Sequence, residues 1–162
     1  RYAGPWYYEM TELGFNNRIT DFQCALGISQ LAKLDRFLQQ RRAIAAHYDK
    51  AIAGDERFII PVVRHNCLHA YHLYPLQINV SRLSVSKPEI FDRLCGKVIH
   101  CQVHFIPVHF QPYYQNRYGF KMGDFPIAEE FYQQEVSIPM YPDLTSDDAA
   151  YISSSIKSVI DM

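Results

Sequence analysis

The sequence has no excess of charge, no long apolar run, no clustered cysteines and no secretory leader, and each absence removes a class of function. Sixteen Lys and Arg stand against seventeen Asp and Glu, a net charge of −1. That balance offers no basic field for a nucleic-acid backbone, so no nucleic-acid partner is expected. The longest apolar runs, such as residues 58–63, fall far short of the ~20 residues a membrane-spanning helix needs, so no membrane partner is expected either. The cysteines Cys24, Cys67, Cys95 and Cys101 stand singly. In a chain too long to depend on disulfide staples, reduced thiols and a cytoplasmic location are the expectation. The first residue is Arg1, with no charged leader and apolar core behind it, which reads as truncation rather than signal-peptide removal.

What is present has the balance of an ordinary soluble protein. With 48% hydrophobic and 20% charged residues, the chain has the composition of a globular domain, and its length allows it to bury roughly two-thirds of its unfolded surface. Thr20 followed by Gln23 makes a capping box, and Phe22, Ala25, Ile28, Leu31, Leu34 and Leu38 recur at helical spacing. The pattern predicts one helix to about Ala53, stopped by Gly54. Residues 58–63 read as a short strand that Pro61 confines to an edge. Residues 71–80 alternate as a half-buried strand. Ser86 and Glu89 form a second capping box for a helix ending at Gly96.

Residues 98–105 alternate again and predict a further strand. Residues 113–124 have no clear period and read as a loop. Residues 126–135 predict a short helix capped by Asp124, and 137–140 are too short and proline-bound for assignment. A last helix starts at Thr145, with Asp147 and Asp148 in its first turn and Ile152, Ile156 and Val159 facing inward. The order suits an α+β or α/β layer, a small sheet with helices packed on it.

Three runs carry a family resemblance. Gly14-Phe15-Asn16-Asn17-Arg18, followed by Thr20-Asp21, Gln23, Ala25 and Gly27, resembles the G-x-N-x-R-x-[ST]-[DE]-x-Q-A-A-x-G signature of the DegT/DnrJ/EryC1/StrS sugar-nucleotide aminotransferases. The run from Gln102 to Tyr114, with Pro107, His109, Gln111 and Pro112, is similar to the family's HY-x-P-x-H-x-QP-x-Y block. Ser137-Ile138-Pro139-Met140-Tyr141-Pro142-Asp143-Leu144-Thr145 looks like its S-[IL]-P-[LM]-x-P-x-L-[ST] run. Asn17, where many relatives have Tyr, and Cys24, in place of the usual Ala, depart from the pattern. The resemblance covers nearly all 162 residues and implies the C-terminal part of a fold-type-I enzyme dependent on pyridoxal 5'-phosphate. Residues 1–53 would be the loop and long helix joining a large domain, and 54–162 a small domain with a mostly antiparallel sheet.

The resemblance also implies chemistry. Such an enzyme needs a lysine that holds the cofactor and an acid beside its pyridine nitrogen. Lys33, Lys50, Lys87, Lys97, Lys121 and Lys157 lack the family's Ser/Thr-rich context, so no catalytic residue is assigned and the chain alone is expected to be inactive. By resemblance Asn16 reaches the phosphate of the partner subunit's cofactor in a homodimer. Arg18, with a planar fork matched to phosphate oxygens, is the candidate for the cofactor or nucleotide phosphate. His104, His109 and Tyr113 belong to a block that lines the nucleotide-sugar pocket in the family. The bland alternative makes Asn16-Asn17 a turn, Arg18 a surface charge, and the histidines and tyrosines core filling and strand caps.

The implied reaction moves an amino group from glutamate to a UDP-linked 4-keto-6-deoxy-N-acetylhexosamine, as in pseudaminic-acid biosynthesis. Two other classes stay open on the residues alone: a non-catalytic binding or dimerisation module, and a small zinc protein. The zinc reading rests on His65, Cys67 and His69, which would share one face of a strand, with His72, His100, Cys101 and His104 as further ligand types. No C-x-x-C pair or H-E-x-x-H helix accompanies them, so no metal ligand is assigned.

Overall fold

The computed structural model describes residues 6–7, 9–15 and 17–161. The chain forms two compact units, residues 1–34 and 35–162. In the first, Thr20 caps helix α1 (Asp21–Leu31) by accepting the Gln23 N–H, while Gln23 accepts the Thr20 N–H at 2.9 Å. The capping box is the one the sequence predicts. No residue of α1 is buried, and Phe22, Leu26, Ile28 and Leu31 are all exposed.

The single helix predicted over 20–53 is two. The α1 ladder closes at Ala32, whose N–H is shared between Ile28 and Gln30 carbonyls, and Lys33 bonds Gln30 in the same tightened turn. No glycine or proline marks the break, so hydrophobic spacing alone runs straight through it. Helix α2 (Leu34–Ile52) then buries Ile44, Ala45, Tyr48 and Ile52 and ends ahead of Gly54.

The second unit is built on three antiparallel strands in the order β1 (Phe58–Ile59), β2 (Tyr74–Ile78), β3 (Glu135–Ile138). Strand β1 lies at the sheet edge as expected, but the strand predicted over 58–63 stops at Ile59, ahead of Pro61. In β2 the alternation places Tyr74, Leu76 and Ile78 in the core. Strand β3 is buried at every position and pairs Tyr74 with Ile138 and Leu76 with Val136. Helix α3 (Lys87–Gly96), capped by Ser86 and Glu89, packs against the last helix, α6 (Ser146–Ile160). The latter buries Ile152, Ile156 and Val159 as its spacing predicts. The α+β layer with a small antiparallel sheet is the architecture the sequence implies. The four cysteines are free thiols, and burial pushes the Cys101 thiol up to about 12.

Three further predicted elements are corrected. Residues 98–105 form no strand: Gln102 exchanges two hydrogen bonds with Ser137, at 3.1 and 2.7 Å, and the ladder stops there. The next donor in line, the His104 N–H, is taken at 2.8 Å by the carboxylate of Glu135. A side chain thus replaces the carbonyl that a strand partner would offer. Within the predicted loop 113–124 lies helix α4 (Pro112–Tyr118), with Pro112 in its first turn and Gly119 as a left-handed C-cap at φ 73°. That ending favours glycine, which has no Cβ to clash. Finally, Asp124 does not cap helix α5 (Pro126–Gln134). It accepts the Lys121 N–H, and the N-cap, Phe125, has no side-chain bond of its own.

Candidate functional site

The site is built where the second family-like run meets helix α5. After Pro107, residues Val108–Phe110 make one 3-10 turn that leads into α4. This turn carries His109 into the interior, 6% exposed, against Glu129 of α5, 5% exposed. The His109 Nε2 lies 2.9 Å from Glu129 Oε1. Both Glu129 oxygens accept the Gly123 N–H at 2.9 Å, and Oε1 accepts the Phe125 N–H at 3.2 Å. Gly123 presents that N–H from a φ of 97°, a conformation that a side chain would oppose. A carboxylate removed from water is tolerable when its lone pairs are met in this way. Desolvation pushes the Glu129 carboxyl up, but the two backbone donors and His109 outweigh it and hold it below the usual range.

Two adjoining cavities flank this cluster. One, about 680 Å³, lies among His104, Phe105, Phe125, Ile127, Phe131 and Tyr132. The other, about 510 Å³, lies among Val108, His109, Tyr114, Tyr118 and Phe120. Pro107, Phe125 and Ala128 border both. The Phe125 ring packs at 4.8 Å from His109 and edge-on to Phe120 at 5.5 Å. The walls are almost wholly apolar, with no lysine or arginine in either lining.

The predicted site residues are therefore spread. His104 lines the larger cavity, its backbone fixed by Glu135, and its side chain is exposed. His109 borders the smaller cavity but commits Nε2 to Glu129. Tyr113 lines neither cavity; its exposed ring meets Tyr114 edge-on at 5.3 Å. Arg18 is exposed in the first unit, two residues ahead of the Thr20 cap. Asn16 lies outside the described residues, as does Tyr8.

Glu129 and Glu135 escape the sequence reading. Each sits in a stretch where a glutamate reads as a solvated charge. The available signal was Glu129 four residues after an uncapped Phe125, where a carboxylate can reach back to a helix start.

The zinc reading is not supported. Residues 60–73 form no strand that could align His65, Cys67 and His69. Arg42 holds the His69 carbonyl at 3.1 Å, and Arg41 donates one guanidinium nitrogen to the Tyr71, His72 and Met140 carbonyls. His69 Nδ1 accepts the Tyr71 N–H. Among the described residues no three His, Cys, Asp or Glu side chains gather to hold a metal ion.

Acid should weaken this unit. The Asp55 carboxyl is held down by the Arg57 side chain, Glu89 by Ser86, Asp148 by Thr145, and Glu129 as above. A carboxyl whose folded pKa is depressed adds stability that is complete above the ordinary carboxylate range and is lost as pH falls through the lower, folded value. The urea midpoint should hold from neutral pH down to that range and then fall steadily. A midpoint that rises on acidification would contradict these pairings.

Comparison with known proteins fits this architecture. The fold is that of sugar aminotransferases: it superimposes on Helicobacter pylori PseC, an aminotransferase involved in the biosynthesis of pseudoaminic acid, with a TM-score of 0.84 and 27% identity, over 98% of this chain and 42% of that one. A profile of the DegT/DnrJ/EryC1/StrS aminotransferase family matches residues 2–157, and the chain belongs to that family.

The spore coat polysaccharide biosynthesis protein SpsC of Bacillus subtilis is 37% identical over 97% of this chain and 41% of its own length. The UDP-4-amino-4,6-dideoxy-N-acetyl-beta-L-altrosamine transaminase of Campylobacter jejuni is 33% identical over 96% of this chain and 41% of its own length. The chain thus spans about two fifths of the length of these relatives.

Proposed function

We propose that this chain is the small-domain part of a pyridoxal-phosphate-dependent aminotransferase that moves an amino group from glutamate to a UDP-4-keto-6-deoxy-N-acetylhexosamine in bacterial surface-sugar biosynthesis. The observation that carries the reading is the match along nearly the whole chain to a relative named for the amino sugar such a reaction makes. The exposed apolar residues of α1 agree with it. Phe22, Leu26, Ile28 and Leu31 form a surface that a longer protein would cover, with residues 1–53 as the connection to its large domain and 54–162 as the small domain. A homodimer in the cytoplasm completes the proposal.

The chain's own groups divide the work. Arg18 suits a phosphate, of the cofactor or of the nucleotide, because its fork matches phosphate oxygens, and Asn16 is the second phosphate candidate. The two cavities suit the faces of a sugar or base, with His104 at the rim for a hydroxyl. Because no cation lines them, the diphosphate would be held elsewhere. Pyridoxal phosphate, when bound, supplies the electron sink for amino transfer.

No lysine lines either cavity, and Lys87, whose pKa is lowered by burial, spends its ammonium on the Tyr132 carbonyl. The covalent anchor would therefore belong to residues outside this chain. The test is to measure the intact mass of the native protein and then assay it with the UDP-4-keto sugar and glutamate. A mass well above 18.9 kDa with glutamate-dependent amination is expected, alongside no turnover by the 162-residue chain alone. Turnover by this chain alone, or a native mass equal to it, would overturn the reading.

A further inference from the structure

Glu129 makes more bonds than a helix start requires. A carboxylate in the first turn that reached back to the N-cap N–H of Phe125 alone would complete that end of α5. Instead Asp124 bonds Lys121 at 2.9 Å, and Glu129 reaches back along the helix to both loop donors while its Oε1 also meets His109. Three segments converge on this one buried carboxylate: the 3-10 turn Val108–Phe110, the loop before α5, and α5 itself. Phe125, whose N–H is among the bonded donors, borders both cavities, and so does Ala128, the residue just before Glu129. The Phe125 ring is clasped between His109 and Phe120. A carboxylate that holds both the Phe125 backbone N–H and the His109 ring on which the Phe125 ring packs fixes that wall through its backbone and through its neighbour.

We infer that Glu129, through its bonds to His109, Gly123 and Phe125, is a positioning residue that holds Phe125 as the wall between the two cavities and thereby sets which nucleotide sugar the protein accepts. The inference rests on the aminotransferase reading for the identity of the ligand, but its geometry does not. Glu129 touches no substrate; it acts through Phe125. Glutamate, which has no ring face to place, should not register the wall.

The experiment uses the full-length protein that contains this chain, with the UDP-4-keto-6-deoxy-N-acetylhexosamine and glutamate as probes. Glu129→Gln keeps the size of the side chain and one acceptor but turns an N–H toward the remaining donors. It should raise KM for the nucleotide sugar about tenfold while KM for glutamate stays unchanged. Phe125→Leu, which leaves the carboxylate and its bonds in place, should reproduce that selective rise. If Glu129→Gln lowers only the melting temperature or the yield, with both KM values unchanged, the inference is overturned.

If the wild-type protein turns over no keto sugar, the aminotransferase reading fails. The wall is then decided by titrating UDP-N-acetylglucosamine into wild type and Glu129→Gln. Weaker binding by the variant supports the positioning role; equal binding, or none by either protein, overturns it.

Discussion

Replacing Glu135 by Ala should destabilise the second unit by about 2–4 kcal/mol, because it strands the buried Ser137 hydroxyl and the part-buried His104 N–H at once. Glu135 is 1% exposed. Its Oε1 accepts the Ser137 hydroxyl at 2.5 Å, and its Oε2 accepts the His104 N–H at 2.8 Å. Each unsatisfied buried donor costs roughly 1–3 kcal/mol. The cost is trimmed because a buried carboxylate carries a desolvation penalty of its own, which the alanine removes. Glu135→Gln, which keeps an acceptor, should lose about half as much. The effect should also be local. The His104 amide, bonded to Glu135 in the wild type, should be protected from hydrogen exchange there and should exchange at the rate of an open loop in Glu135→Ala. An unchanged denaturation midpoint, or continued protection of that amide, would show that the carboxylate does not hold the segment carrying His104.

Tyr48→Ala should cost more, about 3–5 kcal/mol, by removing a ring from the centre of the core. Tyr48 is fully buried and meets Tyr74 edge-on at 5.1 Å, while its hydroxyl donates to the Pro139 carbonyl at 2.9 Å. Tyr74 in turn donates to Asp49 at 2.6 Å. The pair therefore joins α2, β2 and the segment that leaves β3. Against a typical domain stability of about 5–15 kcal/mol, such a loss leaves little margin, and a large part of the variant should be unfolded at physiological temperature. Tyr48→Phe keeps the ring and removes only the hydroxyl, leaving one carbonyl unpaired; about 1 kcal/mol is expected. Equal losses in the two variants would mean that the hydrogen bond, and not the ring, holds these elements together.

Local signals in the sequence proved reliable where the structure needed nothing from elsewhere in the chain. The capping boxes at Thr20 and Ser86 form as their spacing predicts, and the last helix starts at Thr145 as expected, since each donor and acceptor lies within three residues. The alternation of Tyr74, Leu76 and Ile78 and the stripe of Ile152, Ile156 and Val159 likewise found the core, because one face of each element must be buried. Helix α4 was signalled by Pro112 and Gly119, and its tyrosines hid the period. The strand that does not form shows the opposite case. At residues 98–105 the apolar alternation was genuine, yet Glu135, thirty-one residues from His104 in sequence, took the donor a strand would have used.

The sequence by itself determined the family, the α+β layer and the helix caps at Thr20 and Ser86, since these depend on residue type and short spacing. Only the tertiary structure decided that His109 turns inward to a carboxylate, that Tyr113 stands outside both cavities, and that two glutamates of ordinary appearance are buried fasteners. The physical reason is that a buried charge is tolerable only where donors from distant segments converge on it, and linear sequence does not show that convergence.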